Sequence, residues 1–288
     1  MAPRRLRHVG VIGVSSHVAP AVIGALSEAG FQVTGFSRSG ETRAGITAVR
    51  YDDDSGTFSP HPGRLDALVN LAPLPLVASV LRMASLLGAS RLIAFGSTGV
   101  FSKADSTSPM ERQFVADQRE AEEVLARESA RLGIHWTLFR PTMIYGAGGD
   151  QNVTFIRNSI RRFHVFPLPL GRSGLRQPVH VADLALACTR VLENETTFDR
   201  AYNLGGGEVL PYSDMVRRIF RADGHSPKLL PIPAPLFRLL VKLASRLPGL
   251  AYLRPEMVDR MRDDLVADNT DAARDFGYSP RGFEPPPA

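Results

Sequence analysis

The chain has 288 residues, 44% hydrophobic and 22% charged, with 34 Lys and Arg against 29 Asp and Glu. That is globular composition with ample apolar material for a core; the net charge of +5 suits an anionic small molecule and, without interleaved aromatic and basic residues, argues against a nucleic-acid surface. The lone cysteine, Cys188, excludes an internal disulfide, and no apolar run reaches the length of a bilayer span, so a cytoplasmic protein with a small-molecule substrate and no nucleic-acid or membrane partner is expected.

The basic start, residues 1–8, followed by apolar residues, invites a signal-peptide reading. Ser15, Ser16 and His17 interrupt the apolar run, and His8–Gly13 reads better as a first strand. Pro20 then opens a helix to Ala29, since proline in a first turn lacks an N–H that would be unpaired there anyway. Strands follow at Gln32–Phe36 and Thr47–Arg50, and a buried strand at Ala67–Leu71 precedes a helix over Val77–Leu87. Arg91–Phe95 and His135–Phe139 are further strands, on either side of an amphipathic helix over Glu120–Leu132. Strands alternating with helices mean βαβ units and a doubly wound parallel sheet, an α/β fold.

After Arg140-Pro141 the rhythm loosens into Pro-containing loops, with helices at Val181–Leu192 and Tyr212–Arg221. Cys188 lies in an apolar helix face and reads as inert core. Pro235–Leu247 is apolar with Arg238, Lys242 and Arg246 at four-residue spacing, a basic amphipathic helix. It can lie on a membrane surface or pack its apolar face on its own domain, and packing is favoured. The expected organisation is a dinucleotide-binding domain over 1–165, rejoined by segments near 178–205, and a smaller substrate-binding portion over 166–288.

A strand ending at Gly13, then a tight loop, then a helix N-terminus forms an anion site, because backbone N–H groups and the helix dipole converge there. The loop reads Gly13-Val14-Ser15-Ser16-His17-Val18-Ala19, with Ser16 and Ala19 where G-x-x-G-x-x-G has its second and third glycines. Ala19 needs only to be small for helix–strand packing, whereas Ser16 brings a Cβ and a hydroxyl to the phosphate approach. The second strand ends at Phe36-Ser37-Arg38, where an NAD site carries Asp or Glu for the ribose hydroxyls. A guanidinium suits a 2′-phosphate instead, which favours NADP over NAD. Asp52 and Asp53, after the third strand, can reach the adenine or merely cap a loop.

An ordered set of segments resembles the extended short-chain dehydrogenase/reductase superfamily, in its epimerase/dehydratase group. These are Leu71-Ala72-Pro73, Gly96-Ser97-Thr98-Gly99, Arg140-Pro141 through Tyr145-Gly146, Val179-His180-Val181-Ala182-Asp183 and Tyr202-Asn203-Leu204-Gly205-Gly206. The resemblance implies a Rossmann-type domain, with Gly13, Ser15, Ser16, His17, Val18, Ser37, Arg38, Asp52, Leu71, Ala72, Pro73, Gln118 and Pro141 at the cofactor. It also implies a catalytic Ser, a Tyr and a Lys four residues after it. Ser97 matches the serine, with Thr98 beside it, but Phe114 and Gln118 occupy the Tyr and Lys positions. No Tyr occurs between Tyr51 and Tyr145, and Lys103 is the only Lys before Lys228. Phenylalanine cannot transfer a proton, and glutamine supplies no charge.

Two readings follow. The first is an atypical enzyme performing an NADP-dependent reduction, an epimerisation or an elimination on a nucleotide-sugar-like or secondary-metabolite substrate, with Ser97, Thr98, Tyr145, Asp117 or Arg119 as the altered acid or base, or water as the proton source. The second is a non-catalytic scaffold or sensor that binds a dinucleotide, or none. No metal is expected, because the seven histidines lack ligand spacing and Gly96-Ser97-Thr98-Gly99 is not a hydrolase elbow. His180 reads as a backbone hydrogen-bond partner. Relatives that dimerise through the two helices at Val77–Leu87 and Phe114–Leu132 imply a possible homodimer.

Overall fold

The central strands are short apolar runs rich in valine, leucine and isoleucine, and Val9, Val11, Leu68, Val69, Leu92 and Ile93 are fully buried. Such strands, apolar on both faces, belong in the middle of a parallel sheet covered by helices. The computed structural model describes residues 6–40, 42–43, 46–52, 56–146, 152–246 and 254–286. Its main sheet contains β1 (His8–Ile12), β2 (Gln32–Ser37), β3 (Val49–Asp52), β4 (Thr57–Ser59), β5 (Ala67–Asn70), β6 (Arg91–Phe95), β7 (His135–Pro141) and β8 (Arg200–Leu204). The spatial order is β8-β7-β6-β5-β1-β2-β3-β4. All neighbours are parallel except β3 and β4. The fold is thus the Rossmann-type doubly wound sheet expected, and the order reverses between β1 and β5, the topological switch point where such sheets bind ligands.

In chain order the helices are α1 (Ala19–Glu28), α2 (Val77–Leu86), α3 (Gly99–Ser102), α4 (Pro109–Leu132), α5 (Val153–Phe163), α6 (Val181–Val191), α7 (Tyr212–Ala222), α8 (Ala234–Ala244), α9 (Glu256–Arg260) and α10 (Thr270–Phe276). α4 has proline in its first turn and ends on Gly133, whose φ of 66° lets its N–H reach back to the last carbonyls. It begins at Pro109, well before the Glu120 expected from its apolar periodicity, because the exposed first turns carry few apolar residues to reveal them. The third strand falls at Val49–Asp52 rather than Thr47–Arg50, and the antiparallel edge strand β4 was not foreseen.

Two compact units emerge. Unit 1 comprises residues 1–141, 180–204 and 268–280, and unit 2 comprises 142–179, 205–267 and 281–288. The first change of unit falls at the end of β7, not near residue 165, and residues 268–280 also return to unit 1, adding α10 beside β8. In unit 1, Val80, Leu81 and Ala84 of α2 pack with Ala121 and Leu125 of α4 over Leu92 and Leu138 of the sheet. Elsewhere in the unit α1 packs on α6.

Unit 2 has its own core of Ile156, Ile160, Phe166, Met215, Ile219 and Phe220. Strand Phe166–Pro169 pairs in parallel with Leu229–Ile232. The expected packing of α8 on its own unit is met along one side, against α9. Only Ala234 and Phe237 of that helix are buried, while Leu236, Leu239, Leu240 and Leu243 are 43–53% exposed. The basic spacing was visible in sequence, but nothing there told which side of the helix would face inward; Leu247 lies outside the described residues.

One buried cation ties unit 1 together. Arg91, 2% exposed at the start of β6, donates to the carbonyls of Val191 (2.9 Å) and Leu192 (3.3 Å) and to the hydroxyls of Thr137 (2.5 Å) and Thr197 (3.2 Å). Its guanidinium also lies 4.5 Å from the centroid of Phe198. Burial lowers its pKa to about 10, which leaves it a cation at neutral pH. The clamp fixes the link from α6 to β8 against the sheet. Arg91→Met should therefore lower the unfolding free energy by about 2–4 kcal/mol, with the urea m-value unchanged, since it strands buried carbonyls and hydroxyls. A loss below about 0.5 kcal/mol, the usual size for an unimportant site, would show that the clamp is dispensable.

Candidate dinucleotide site

β1 ends in a turn that only glycine can make. Gly13 has φ 79°, and a Cβ there would stand 2.8 Å from the Ala72 nitrogen and 3.0 Å from the Leu71 carbonyl carbon. The loop therefore runs directly against the end of β5, and Leu71 N–H donates to Ile12 O at 2.9 Å. Ser16 N–H closes the turn onto Gly13 O (2.8 Å), and Ala19 N–H donates to Ser16 O (3.0 Å). The Ser16 hydroxyl accepts from Val18 N–H at 3.3 Å. Accepting leaves its hydrogen available to an anion, so serine at the second glycine position caps the loop from within rather than simply filling it. Ser15 and His17 are exposed, whereas the Val18 side chain is 4% exposed and turned into the core. Of the expected loop contacts, Val18 can therefore offer only backbone.

The remaining expected residues surround the carboxyl ends of the strands. Arg38 follows β2 and is exposed, and the Ser37 hydroxyl accepts from Gly40 N–H at 2.9 Å. Asp52 ends the neighbouring β3 and is exposed. Asp53 lies outside the described residues. Leu71 and Ala72 are half-buried beyond β5, and Pro73 is exposed. The Pro141 carbonyl, at the end of β7, accepts from both the N–H (3.2 Å) and the hydroxyl (3.1 Å) of Thr98. The second of these hydrogen bonds commits the Thr98 hydroxyl's proton to the sheet, which argues against its use as an acid. The half-buried Ser97 hydroxyl accepts from Gly99 N–H at 3.0 Å and keeps its own hydrogen to donate.

Phe114 and Gln118 sit on α4 at the positions where the resemblance requires Tyr and Lys. α4 is pinned to the sheet by Glu122, whose carboxylate accepts from Arg140 Nε (2.8 Å) and Nη2 (2.5 Å) in a largely buried fork. One turn earlier, Gln118 is 7% exposed, and its Oε1 has no hydrogen-bond partner. The Phe114 ring lies against Gly99: a Cβ on Gly99 would be 3.1 Å from Phe114 Cε1 and 3.1 Å from Ser97 Oγ. Lys103 Nζ stands 4.4 Å from the centroid of that same ring. Sequence reasoning named Lys103 only as the sole lysine of the first half. Its placement depends on α3 folding back over α4, which no local pattern announces.

Asn70 is a second residue that was missed. It ends β5 fully buried, its Oδ1 accepts from Ala72 N–H at 3.1 Å, and its Nδ2 has no partner. The sequence does carry a clue, a lone amide closing the apolar run Ala67-Leu68-Val69. Buried polar groups are normally paired, so an orphaned donor on Asn70 and an orphaned acceptor on Gln118 leave hydrogen-bonding capacity for a ligand. Together with the Gly13 cradle at the head of α1, these groups fit a dinucleotide.

The other candidate residues lie in differing surroundings. Tyr145 is 0% exposed in unit 2, where its hydroxyl donates to Gly282 O (3.1 Å), accepts from Glu284 N–H (3.3 Å), and its ring abuts Phe283. It ties the C-terminal segment into the core and has no surface from which to serve as an acid. Asp117 accepts from Gln113 Nε2 at 2.7 Å, and Arg119 is exposed. His180 caps α6, its Nδ1 accepting from Ala182 N–H at 3.2 Å. Cys188 is fully buried, and desolvation pushes its thiol pKa far up. Among the described residues, no group of three or more His, Cys, Asp or Glu is placed to hold a metal, and no helix is long and apolar enough to cross a membrane.

Comparison with known proteins bears on this geometry. Residues 74–205 match the NAD dependent epimerase/dehydratase family. That match covers less than half of the chain, and solved epimerase structures at 16% and 17% identity share its fold. It is 30% identical over 135 residues to the chloroplast stem-loop binding protein of 41 kDa b of Arabidopsis thaliana, a match covering 44% of this chain and 35% of that one. It is 22% identical over 185 residues to a UDP-glucose 4-epimerase of Vibrio cholerae, covering 62% and 52%. The chain thus spans between a third and about half of the length of these curated relatives. A Thermus thermophilus UDP-glucose 4-epimerase in complex with NAD superposes with a TM-score of 0.67 at 16% identity, covering 96% of this chain and 95% of that one.

The Gly13 cradle makes a direct prediction. Gly13→Ala should destabilise the protein by about 2–4 kcal/mol, from the left-handed backbone and the collision with Ala72 together, read as a drop in the denaturation midpoint. Gly24→Ala, where nothing lies within 4 Å of the added methyl, should be neutral or slightly stabilising. Equal effects of the two variants would contradict the close approach.

Proposed function

We propose that this protein is an NAD(P)-binding, epimerase/dehydratase-like enzyme that works without the Tyr–Lys pair and uses the Lys103 ammonium and the Ser97 hydroxyl in its place. The observation that carries the reading is Lys103 Nζ seated 4.4 Å from the centre of the Phe114 ring, with that ring in turn against Gly99 and Ser97. A cation over an aromatic face is held there by the ring quadrupole. Phe114 thus loses the phenol proton but keeps an aromatic platform, and the platform carries a group that has protons to give.

A dinucleotide at the head of α1 would supply the hydride chemistry. Around it, Asn70 Nδ2 would donate, and Gln118 Oε1 would accept a ribose hydroxyl where a lysine would have donated. Arg38 favours the 2′-phosphate of NADP over the free ribose of NAD. Ser97 would donate to the substrate oxygen, and Lys103 would protonate it or stabilise its negative charge. Unit 2 has a cleft of about 340 Å³ walled by Leu168, Leu170, Leu229 and Met261, with Ser213 and Arg217 at its polar side. Such a lining suits a flat apolar group with an anionic or hydroxylated edge, which supports a nucleotide-sugar-like substrate.

A second reading, a dinucleotide-binding scaffold or sensor without turnover, draws on the combined loss of the second glycine, the Tyr and the Lys. The Arabidopsis relative is named a stem-loop binding protein, which supports a binding role without turnover. One series of variants separates the two readings. Turnover of UDP-hexoses, followed by NMR with NADP present, should fall about 10²–10⁴-fold in Lys103→Met, the usual worth of a general acid. Lys103→Arg, which keeps charge but moves protons poorly, should stay well below the native chain. Native-like turnover in Lys103→Met would remove Lys103 from the mechanism. No turnover by the native chain on any hexose tested would favour the scaffold.

A further inference from the structure

We propose that α8 is an interfacial helix through which unit 2 docks on an anionic phospholipid bilayer. Leu236, Leu239, Leu240 and Leu243 are 48%, 53%, 43% and 49% exposed. At helical spacing they share an arc of about 100° on one face. The inward side of the helix is a different one, set by Phe237 and Ala234. Scattered exposed leucines are ordinary, but four in one stripe along an 11-residue helix form a continuous apolar strip.

Charge selects the occupant. Residues 224–246 contain no Asp or Glu, but contain Lys228, Arg238, Lys242 and Arg246. Arg238 is answered by Asp259, with Nε donating to Oδ1 at 3.0 Å. Lys242 and Arg246 are exposed and fall along the edge adjoining the leucine arc. An apolar strip with an adjacent basic edge and no carboxylate on the same segment is the pattern of a helix lying in the plane of an anionic membrane surface. At about 16 Å the helix is too short to span a bilayer, so it lies on the surface and does not cross it. Antiparallel self-pairing through the same strip would instead set one basic edge against the other.

The test is sedimentation of the full chain with vesicles of phosphatidylcholine alone, or of phosphatidylcholine and phosphatidylglycerol in about equal parts. Two basic residues at an anionic surface should give at least about tenfold more binding to the anionic vesicles, lessened by salt. The exposed double variant Leu239→Glu/Leu243→Glu should abolish the binding while circular dichroism and the denaturation midpoint stay native. Lys242→Ala/Arg246→Ala should reduce binding to the phosphatidylcholine level. Equal binding to both vesicle types, or none to either, overturns the proposal. So does a native dimer, seen by light scattering, that Leu239→Glu/Leu243→Glu converts to monomer, since the strip would then face a second copy.

Discussion

The anion-binding turn of the candidate site follows from one steric constraint, the contact between the turn at Gly13 and the end of β5. A side chain at Gly13 would strike the Ala72 backbone, and the positive φ would strain it further. Because that turn is tight, α1 starts directly beyond β1 and its first N–H groups open over the switch point between β1 and β5. The other glycine positions of the loop are less constrained. Ala19 is small enough to pack, and Ser16 turns its hydroxyl inward to accept from Val18. The loop has kept the one glycine that geometry demands and substituted those that it does not.

The same logic applies to α4. Its position is set by the Arg140–Glu122 fork and by its packing against α2, neither of which depends on what residues 114 and 118 are. The positions where the resemblance implies a Tyr and a Lys are held by that scaffold and carry Phe114 and Gln118. What replaces them is not an empty wall. Phe114 supports a lysine from the preceding segment of chain, and Gln118 retains a polar atom with no partner in a nearly dry site. A relic with no remaining use would more simply have filled these positions with aliphatic residues, since an unpaired buried oxygen costs stability.

How much of this was legible in the sequence depended on whether the information was local. The strands of the first half could be read because fully buried parallel strands are continuous apolar runs, and Arg91–Phe95 fell where expected. β4 was missed because Thr57, Phe58 and Ser59 make an edge strand with little apolar pattern. The alternation of strands and helices and the loop at Gly13 were visible as strand–glycine–helix punctuation, and the Rossmann type came from the resemblance. The roles of Tyr145 and Lys103 were not, because each is decided by a distant segment: residues 282–284 seal the phenol of Tyr145, and α4 brings Phe114 under Lys103. α8 is the converse case. Its amphipathic pattern was clear, and which face would be covered was a tertiary fact.

The central claim is that the altered loop still holds a dinucleotide and that Arg38 selects NADP. Calorimetric titration of the nucleotide-stripped protein with NADPH and NADH tests it most directly. The account predicts micromolar binding of NADPH, weaker binding of NADH, and loss of that preference in Arg38→Ala. Tighter binding of NADH would contradict the role of Arg38, and no binding of either nucleotide would contradict the site itself.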